Sequence, residues 1–267
     1  MTAEAPIGVF DSGVGGLTVV RELLWRLPAE SLLYIADTAH VPYGDRSPDE
    51  IRGYGVALTR YLANRGCKLV VMACNTSSAL ALDEAAAAVD VPVLGTIEGG
   101  ARAAAAVANG GCLGVLATAA TVASGAYPRA IAAAARTRVE VRQVACPRFV
   151  PLVEAGRVGT PDSYDAVGQY LGQLPLLELD ALVLGCTHYP FLAPVIRSRV
   201  EERTYLVDPA VETAKQIEAD LAARGLLARG PARHELRATG DLESLRRTNQ
   251  LSFGGRLPEL TKLTIEG

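Results

Sequence analysis

The sequence predicts an α/β fold of two similar α/β domains with mostly parallel sheets. Short β-rich apolar runs alternate with longer stretches of helical character. Several runs are apolar throughout instead of alternating, as expected of parallel strands covered on both faces. Two segments, "LVVMACNTSSA" and "LVLGCTHYPF", also echo one another 112 positions apart. Each has an apolar run, a cysteine, a threonine within two residues and a helix start.

In chain order, strands are expected at "IGVF" from Ile7, "LLYIA" from Leu32, "LVVMA" from Leu69 and "VPVLGT" from Val91. They continue at "LGVLA" from Leu113, "VEVRQVA" from Val139, "ALVLG" from Ala181 and "YLVD" from Tyr205. Helices are expected between them, from Leu17 to Leu27, Pro48 to Arg65, Ser77 to Val89 and Ala210 to Ala228. This alternation is the pattern of a parallel sheet with crossover helices. From Ala103 to Pro128 no residue is charged, yet Asn109, Gly110, Gly111, Thr118, Thr121 and Ser124 interrupt the run. It reads as a helix end, a turn and a buried strand, and a membrane span is rejected.

The 267 residues are 49% hydrophobic and 21% charged, an ordinary globular balance. A formal net charge of −3 offers no electrostatic footprint for nucleic acid or an anionic membrane. The start "MTAEAPIGVF" lacks the basic and apolar regions of a secretory leader. Five cysteines, an odd number without CxxC, argue for reduced thiols and a cytoplasmic location. The three lysines, Lys68, Lys215 and Lys262, have no Schiff-base context.

Open α/β sheets bind ligands beyond the carboxyl ends of their strands. Three polar turns are placed there. The first, "FDSGVGGLT" from Phe10, has glycines for tight turning but lacks a Walker lysine. The other two carry Cys74 and Cys186, each at a helix start where free N–H groups favour a thiolate. Asn75, Thr76 and Thr187 add hydrogen bonds suited to a carboxylate or amine, and His188 can exchange protons with Cys186. One thiol with a histidine suits acyl transfer, which leaves the second thiol superfluous. A zinc site would lack a nearby fourth ligand. Racemisation suits the pair best, one thiolate removing a Cα proton while the opposite thiol donates one to the other face.

The ordered set "FDSGVGGLTV", "YIADTAHVPYGDRS", "ACNTSSA", "PLVEAG", "LGCTHYPFL" and "VDPA" resembles the glutamate racemase family of the aspartate/glutamate racemase superfamily. The resemblance runs from about Ile7 to Gly240. It implies interconversion of L- and D-glutamate without PLP, metal or other cofactor, in the supply of D-glutamate for peptidoglycan biosynthesis. Cys74 and Cys186 would be the acid/base pair, serving the D and L faces respectively. Asp11 would assist Cys74, while His188 and Glu154 would support Cys186. Ser12, Tyr43, Gly44, Asn75, Thr76 and Thr187 would bind the substrate's ammonium and carboxylates together with Asp11 and His188. Thr118 and Thr121 would add a further carboxylate site. Cys67, Cys112 and Cys146 are left to packing.

The same resemblance implies a homodimer and an active site in the cleft between the domains. The first domain is expected over 1–96 plus 211–267, and the second over 97–210. Aspartate racemase is the near rival, and "CTHYP" and "VPYGDRS" favour glutamate. A cysteine hydrolase, needing only one of the two thiols, is the alternative from another reaction class.

Overall fold

The computed structural model describes residues 2–108, 111–255, 257 and 260–263. The turn expected at Asn109 and Gly110 lies outside the described residues, as do the last four residues of the chain. The first half builds β1 (Ile7–Asp11), α1 (Leu17–Arg26), β2 (Leu32–Ala36), α2 (Pro48–Asn64), β3 (Leu69–Met72), α3 (Asn75–Ala87) and β4 (Val93–Gly95). After α4 (Ile97–Val107) come β5 (Cys112–Ala117), α5 (Ala119–Ser124), α6 (Ala126–Ala134) and β6 (Glu140–Ala145). Then follow α7 (Phe149–Glu154), α8 (Pro161–Leu171), β7 (Leu179–Gly185), α9 (Ala193–Arg197) and β8 (Tyr205–Val207). The chain ends with α10 (Pro209–Ala223), β9 (His234–Ala238), α11 (Glu243–Phe253) and β10 (Leu260–Lys262).

The strands form two parallel sheets, the α/β fold that the sequence predicts. One has the order β10-β9-β2-β1-β3-β4 and the other β6-β5-β7-β8. The first four strands of each half therefore share one topology, with β5, β6, β7 and β8 taking the places of β1, β2, β3 and β4. The echo around Cys74 and Cys186 falls on equivalent strand ends, after β3 and β7.

Side chains alternate across a strand, and here both faces are covered. Val9, Tyr34, Leu69 and Val71 of the first sheet join one core, while Phe10, Leu33, Ile35, Val70 and Met72 join another. Hence these strands read as continuous apolar runs. Leu116, Leu182 and Leu184 of the second sheet belong to the same core as Val9 and Val71. The two lobes are thus joined by one continuous apolar cluster, which restrains their relative motion. No helix among the described residues is long and apolar enough to cross a membrane.

The sequence reading missed β9 and β10. In "HELRA" only Leu236 and Ala238 are buried, so a period-two strand carrying charges replaces the apolar run sought. Helix α10 ends at Ala223, short of the expected Ala228, because Gly225 takes a left-handed turn at φ 66. Helix α3 begins at Asn75, two residues before the expected start, which makes Cys74 its N-cap.

At the opposite end of the first sheet, Lys68 and Glu30 form a fully buried ion pair at 2.5 Å. Lys68 Nζ also donates to the Ala3 and Leu226 carbonyls, and Glu30 Oε1 accepts the Ala228 N–H at 2.8 Å. A buried charge is tolerated only with such pairing. The pair staples the N-terminus, β3 and the segment after α10. Lys68→Met should strand the Glu30 carboxylate and cost about 3–5 kcal/mol in urea unfolding, with part recovered by the additional change Glu30→Leu. An unaltered midpoint for Lys68→Met alone would count against the staple.

Candidate active site

Strand order reverses direction between β1 and β3 in the first sheet and between β5 and β7 in the second. Crevices open at such switch points, outside the carboxyl ends of the strands. The first switch point presents Asp11, Ser12 and Cys74. The second presents Thr118, Cys186, Thr187 and His188. Ser12, Tyr43, Gly44, Cys74, Thr76, Thr118, Cys186 and His188 line one cavity between the sheets. Cys146, Pro147, Val150 and Pro151 close one side of it. The two thiols are nearly buried, Cys74 being 5% and Cys186 7% exposed.

On the first lobe, the Cys74 thiol donates to Ser12 Oγ at 3.8 Å. Asp11 is fully buried and accepts the Gly13 N–H and the Thr187 hydroxyl, each at 3.0 Å. Burial raises the Asp11 carboxyl above its usual range, against the His188 charge and these hydrogen bonds. Burial, with the Asp11 charge next, pushes the Cys74 thiol up to about 12.

On the second lobe, His188 Nδ1 lies 3.8 Å from Cys186 Sγ, and its Nε2 lies 2.7 Å from Glu154 Oε1. Burial works against the imidazolium, but hydrogen bonds and charge from Cys186 and Glu154 hold the His188 pKa well above its ordinary value. A protonated ring donates from both nitrogens, which matches both contacts. Burial likewise opposes ionisation of Glu154, yet His188, the Val14 N–H and Ser244 hold its carboxyl below the ordinary range. Glu154 ends the short helix α7, and its place is secured from outside, since Arg247 of α11 donates to its carbonyl at 3.1 Å.

The remaining predicted residues form the joints of the cleft. Thr76 and Thr118 meet at 2.9 Å, Thr118 and Thr121 at 2.9 Å, and Thr121 donates to Thr76 at 3.3 Å. Thr118 also caps α5 by accepting the Thr121 N–H. The Asn75 side-chain oxygen accepts the Tyr127 hydroxyl at 2.6 Å. Tyr43 is held by Asp37, whose carboxylate accepts the phenol at 2.5 Å and the Thr239 hydroxyl at 2.6 Å.

Asp37, Tyr127 and Ser244 were missed by the sequence reading. Tyr127 and Ser244 act on predicted site residues from distant elements, while Asp37 lies six residues before Tyr43, and none of the three announces its contact in the sequence. Cys146, left to packing, does belong to the large core, its thiol donating to the Val144 carbonyl at 3.5 Å. It also reaches the cavity wall. Cys67 and Cys112 are buried at the far ends of β3 and β5.

The glycines of "FDSGVGGLT" allow the lobes to touch. A Cβ on Gly13 would strike Glu154 Oε1, and one on Gly15 would strike Thr187 Oγ1 and His188 Nδ1. Gly15→Ala should therefore push the β7 turn from β1 and lower turnover about a hundredfold while the fold persists. Near-normal turnover would show that the turn can yield.

A pH effect follows from Cys74. An unfolded thiol ionises near about 8.5, whereas the folded one holds its proton up to about 12. Its stabilising contribution is full below the unfolded value and is lost as pH rises toward the folded one. Urea unfolding across that range should show a falling stability whose slope is one proton smaller in Cys74→Ser. An identical slope in the variant would assign the effect elsewhere.

The profile of the Asp/Glu/Hydantoin racemase family matches residues 7–217. A glutamate racemase of Trichodesmium erythraeum is 48% identical over 225 residues, covering 84% of this chain and 82% of the relative. One of Acidothermus cellulolyticus is 44% identical over 261 residues, covering 97% and 98%. The crystal structure of glutamate racemase from Francisella tularensis in complex with D-glutamate superimposes with a TM-score of 0.91 at 30% identity, covering 99% of both chains. The chain thus belongs to the Asp/Glu/Hydantoin racemase family and is an isomerase of the racemase kind.

Proposed function

We propose that this chain interconverts L- and D-glutamate by two-base proton transfer, with Cys74 and Cys186 as the bases. The observation that carries the reading is the presence of both thiols in the wall of one cavity, at equivalent strand ends of two sheets. A planar carbanion between two sulfurs can be protonated from either side. In one direction the Cys186 thiolate takes the Cα proton from the L face, and the Cys74 thiol gives its proton to the opposite face. The pair then carries one thiolate and one thiol with exchanged roles, and the reverse reaction restores it.

The surroundings fit such roles. Protonated His188, steadied by Glu154, faces Cys186 and compensates charge on that sulfur. Asp11 beside Cys74 favours the protonated thiol, the form needed to donate. Ser12, Tyr43, Gly44, Thr76 and Thr118 would receive the substrate's polar groups at the cavity wall. Asn75, Thr121 and Thr187 would orient that wall or turn toward the substrate as it binds.

The proposal extends to a first domain of 1–96 plus 211–267 and a second of 97–210. It includes a cytoplasmic homodimer that supplies D-glutamate for peptidoglycan. Trp25 on α1, 77% exposed, is an apolar surface that such a dimer could cover.

The test is incubation of metal-free, PLP-free protein with L- or D-glutamate in D2O, following Cα exchange and optical rotation. Both should proceed, and aspartate should turn over far more slowly. Cys74→Ser and Cys186→Ser should each lower racemisation by about a hundred- to ten-thousandfold. Near-normal racemisation in either variant would refute the two-base assignment.

A further inference from the structure

The two thiols are surrounded differently. Cys186 has a histidine at 3.8 Å. The leading charge effects on the Cys74 thiol come from Asp11 and Cys186, and neither is a cation. A thiolate at Cys74 therefore draws on neutral donors close to it. Helix α3 offers its N-terminus, with Cys74 as N-cap and Ser77 three residues on. An N-cap side chain can take hydrogen bonds from the N–H and the side chain of the third helical residue, and Cys74 leaves that cap unmade in this structure.

Ser77 is fully buried, and its hydroxyl has no hydrogen-bond partner among the described residues. Its neighbours are all engaged, since the Ser78 hydroxyl donates to the Met72 carbonyl at 2.9 Å and Thr76 meets Thr118. A buried hydroxyl without a partner costs stability and calls for an explanation. The Cys74 thiol directs its own proton to Ser12 Oγ. While the thiol is protonated, its sulfur is only a weak acceptor. Once the proton leaves, the sulfur becomes a strong one. The N–H and hydroxyl of Ser77 both favour that ionised state. The equivalent place in the second half holds Tyr189, whose hydroxyl turns away to the Cys146 carbonyl at 3.2 Å. Only the half without an imidazole has a small hydroxyl here.

We propose that Ser77 is a positioning residue for Cys74, donating its hydroxyl hydrogen bond to the sulfur when Cys74 becomes a thiolate. The hydroxyl stands idle in the protonated form and is used in the ionised form. No covalent step is involved; the proton on Cys74 is the one exchanged with substrate. Ser77 lies outside the cavity wall, so it acts through Cys74 and not on the substrate. The proposal rests on the acid/base reading of Cys74, but its test does not require turnover.

The experiment compares Ser77→Ala with the parent chain, both in a Cys186→Ser background. Iodoacetamide alkylation of the Cys74 peptide is followed by mass spectrometry over a pH series. The midpoint should rise by about one pH unit in Ser77→Ala, slowing alkylation about tenfold below it. The urea midpoint of Ser77→Ala should be equal to or above that of the parent, because an unpaired hydroxyl has been removed. With both cysteines present, Ser77→Ala should lower kcat about tenfold and leave KM unchanged. An unshifted alkylation midpoint in the folded variant would overturn the proposal. Absence of racemisation by the parent chain would instead sink the acid/base reading and leave the alkylation result standing.

Discussion

The Thr187 hydroxyl donates to the buried Asp11 carboxylate across the cleft at 3.0 Å, and the arrangement of the site depends on that contact. Each partner stands at the carboxyl end of a strand of a different sheet. For them to meet, the two sheets must turn the same ends toward each other and come within touching distance. The glycines after Asp11 permit the approach, because Gly13 and Gly15 leave room for Glu154, Thr187 and His188. The Val14 N–H then reaches Glu154 at 3.2 Å, and Thr18 reaches the Thr187 carbonyl at 3.4 Å. One turn of the first lobe thus holds Glu154, Thr187 and His188 of the second.

Polar contacts in a cleft are strong only while water is kept out. Here the shared apolar core does that, running from Val9 and Val71 through Leu116 and Leu184. The same burial that strengthens these hydrogen bonds raises the Asp11 carboxyl and the Cys74 thiol toward their neutral forms. On the other side, His188 and Glu154 support each other's charges. An ion pair inside the second lobe and a protonated Cys74 thiol inside the first are the outcome.

Much of this was legible in the sequence, and the reasons are physical. Parallel strands covered on both faces must be apolar throughout, so "IGVF", "LLYIA" and "LVVMA" announced themselves. The paired cysteine turns were legible because one topology is used twice. β9 was hidden because only Leu236 and Ala238 need burying there, and "HELRA" carries polar or charged residues at its other positions. Asp37 and Tyr127 were hidden for a different reason. Their partners, Tyr43 and Asn75, lie 6 and 52 residues away, and nothing local records a contact made by the tertiary fold. Ser77 stood inside a quoted motif yet was passed over. Its meaning lies in being buried without a partner, which only coordinates reveal.

Two halves of one topology do not give their two thiols equal surroundings. Equivalent strand ends place Cys74 and Cys186 alike, but the residues that follow diverge. After Cys186 comes His188, a cation held by Glu154 from α7 and, through that helix, by Arg247 from α11. After Cys74 come Asn75 and Thr76, whose oxygens are already engaged with Tyr127 and Thr118, and then Ser77. A cation beside Cys74 would draw the proton off a thiol that, in the proposed reaction, must still be able to donate it. An anion alone, Asp11, would hold that proton too firmly for it to be given up. Neutral donors at a helix start lie between these extremes, since they favour the thiolate without adding a charge. In the proposed two-base reaction the asymmetry follows from the demand on a reversible pair: at any moment one sulfur must be ionised and the other must not.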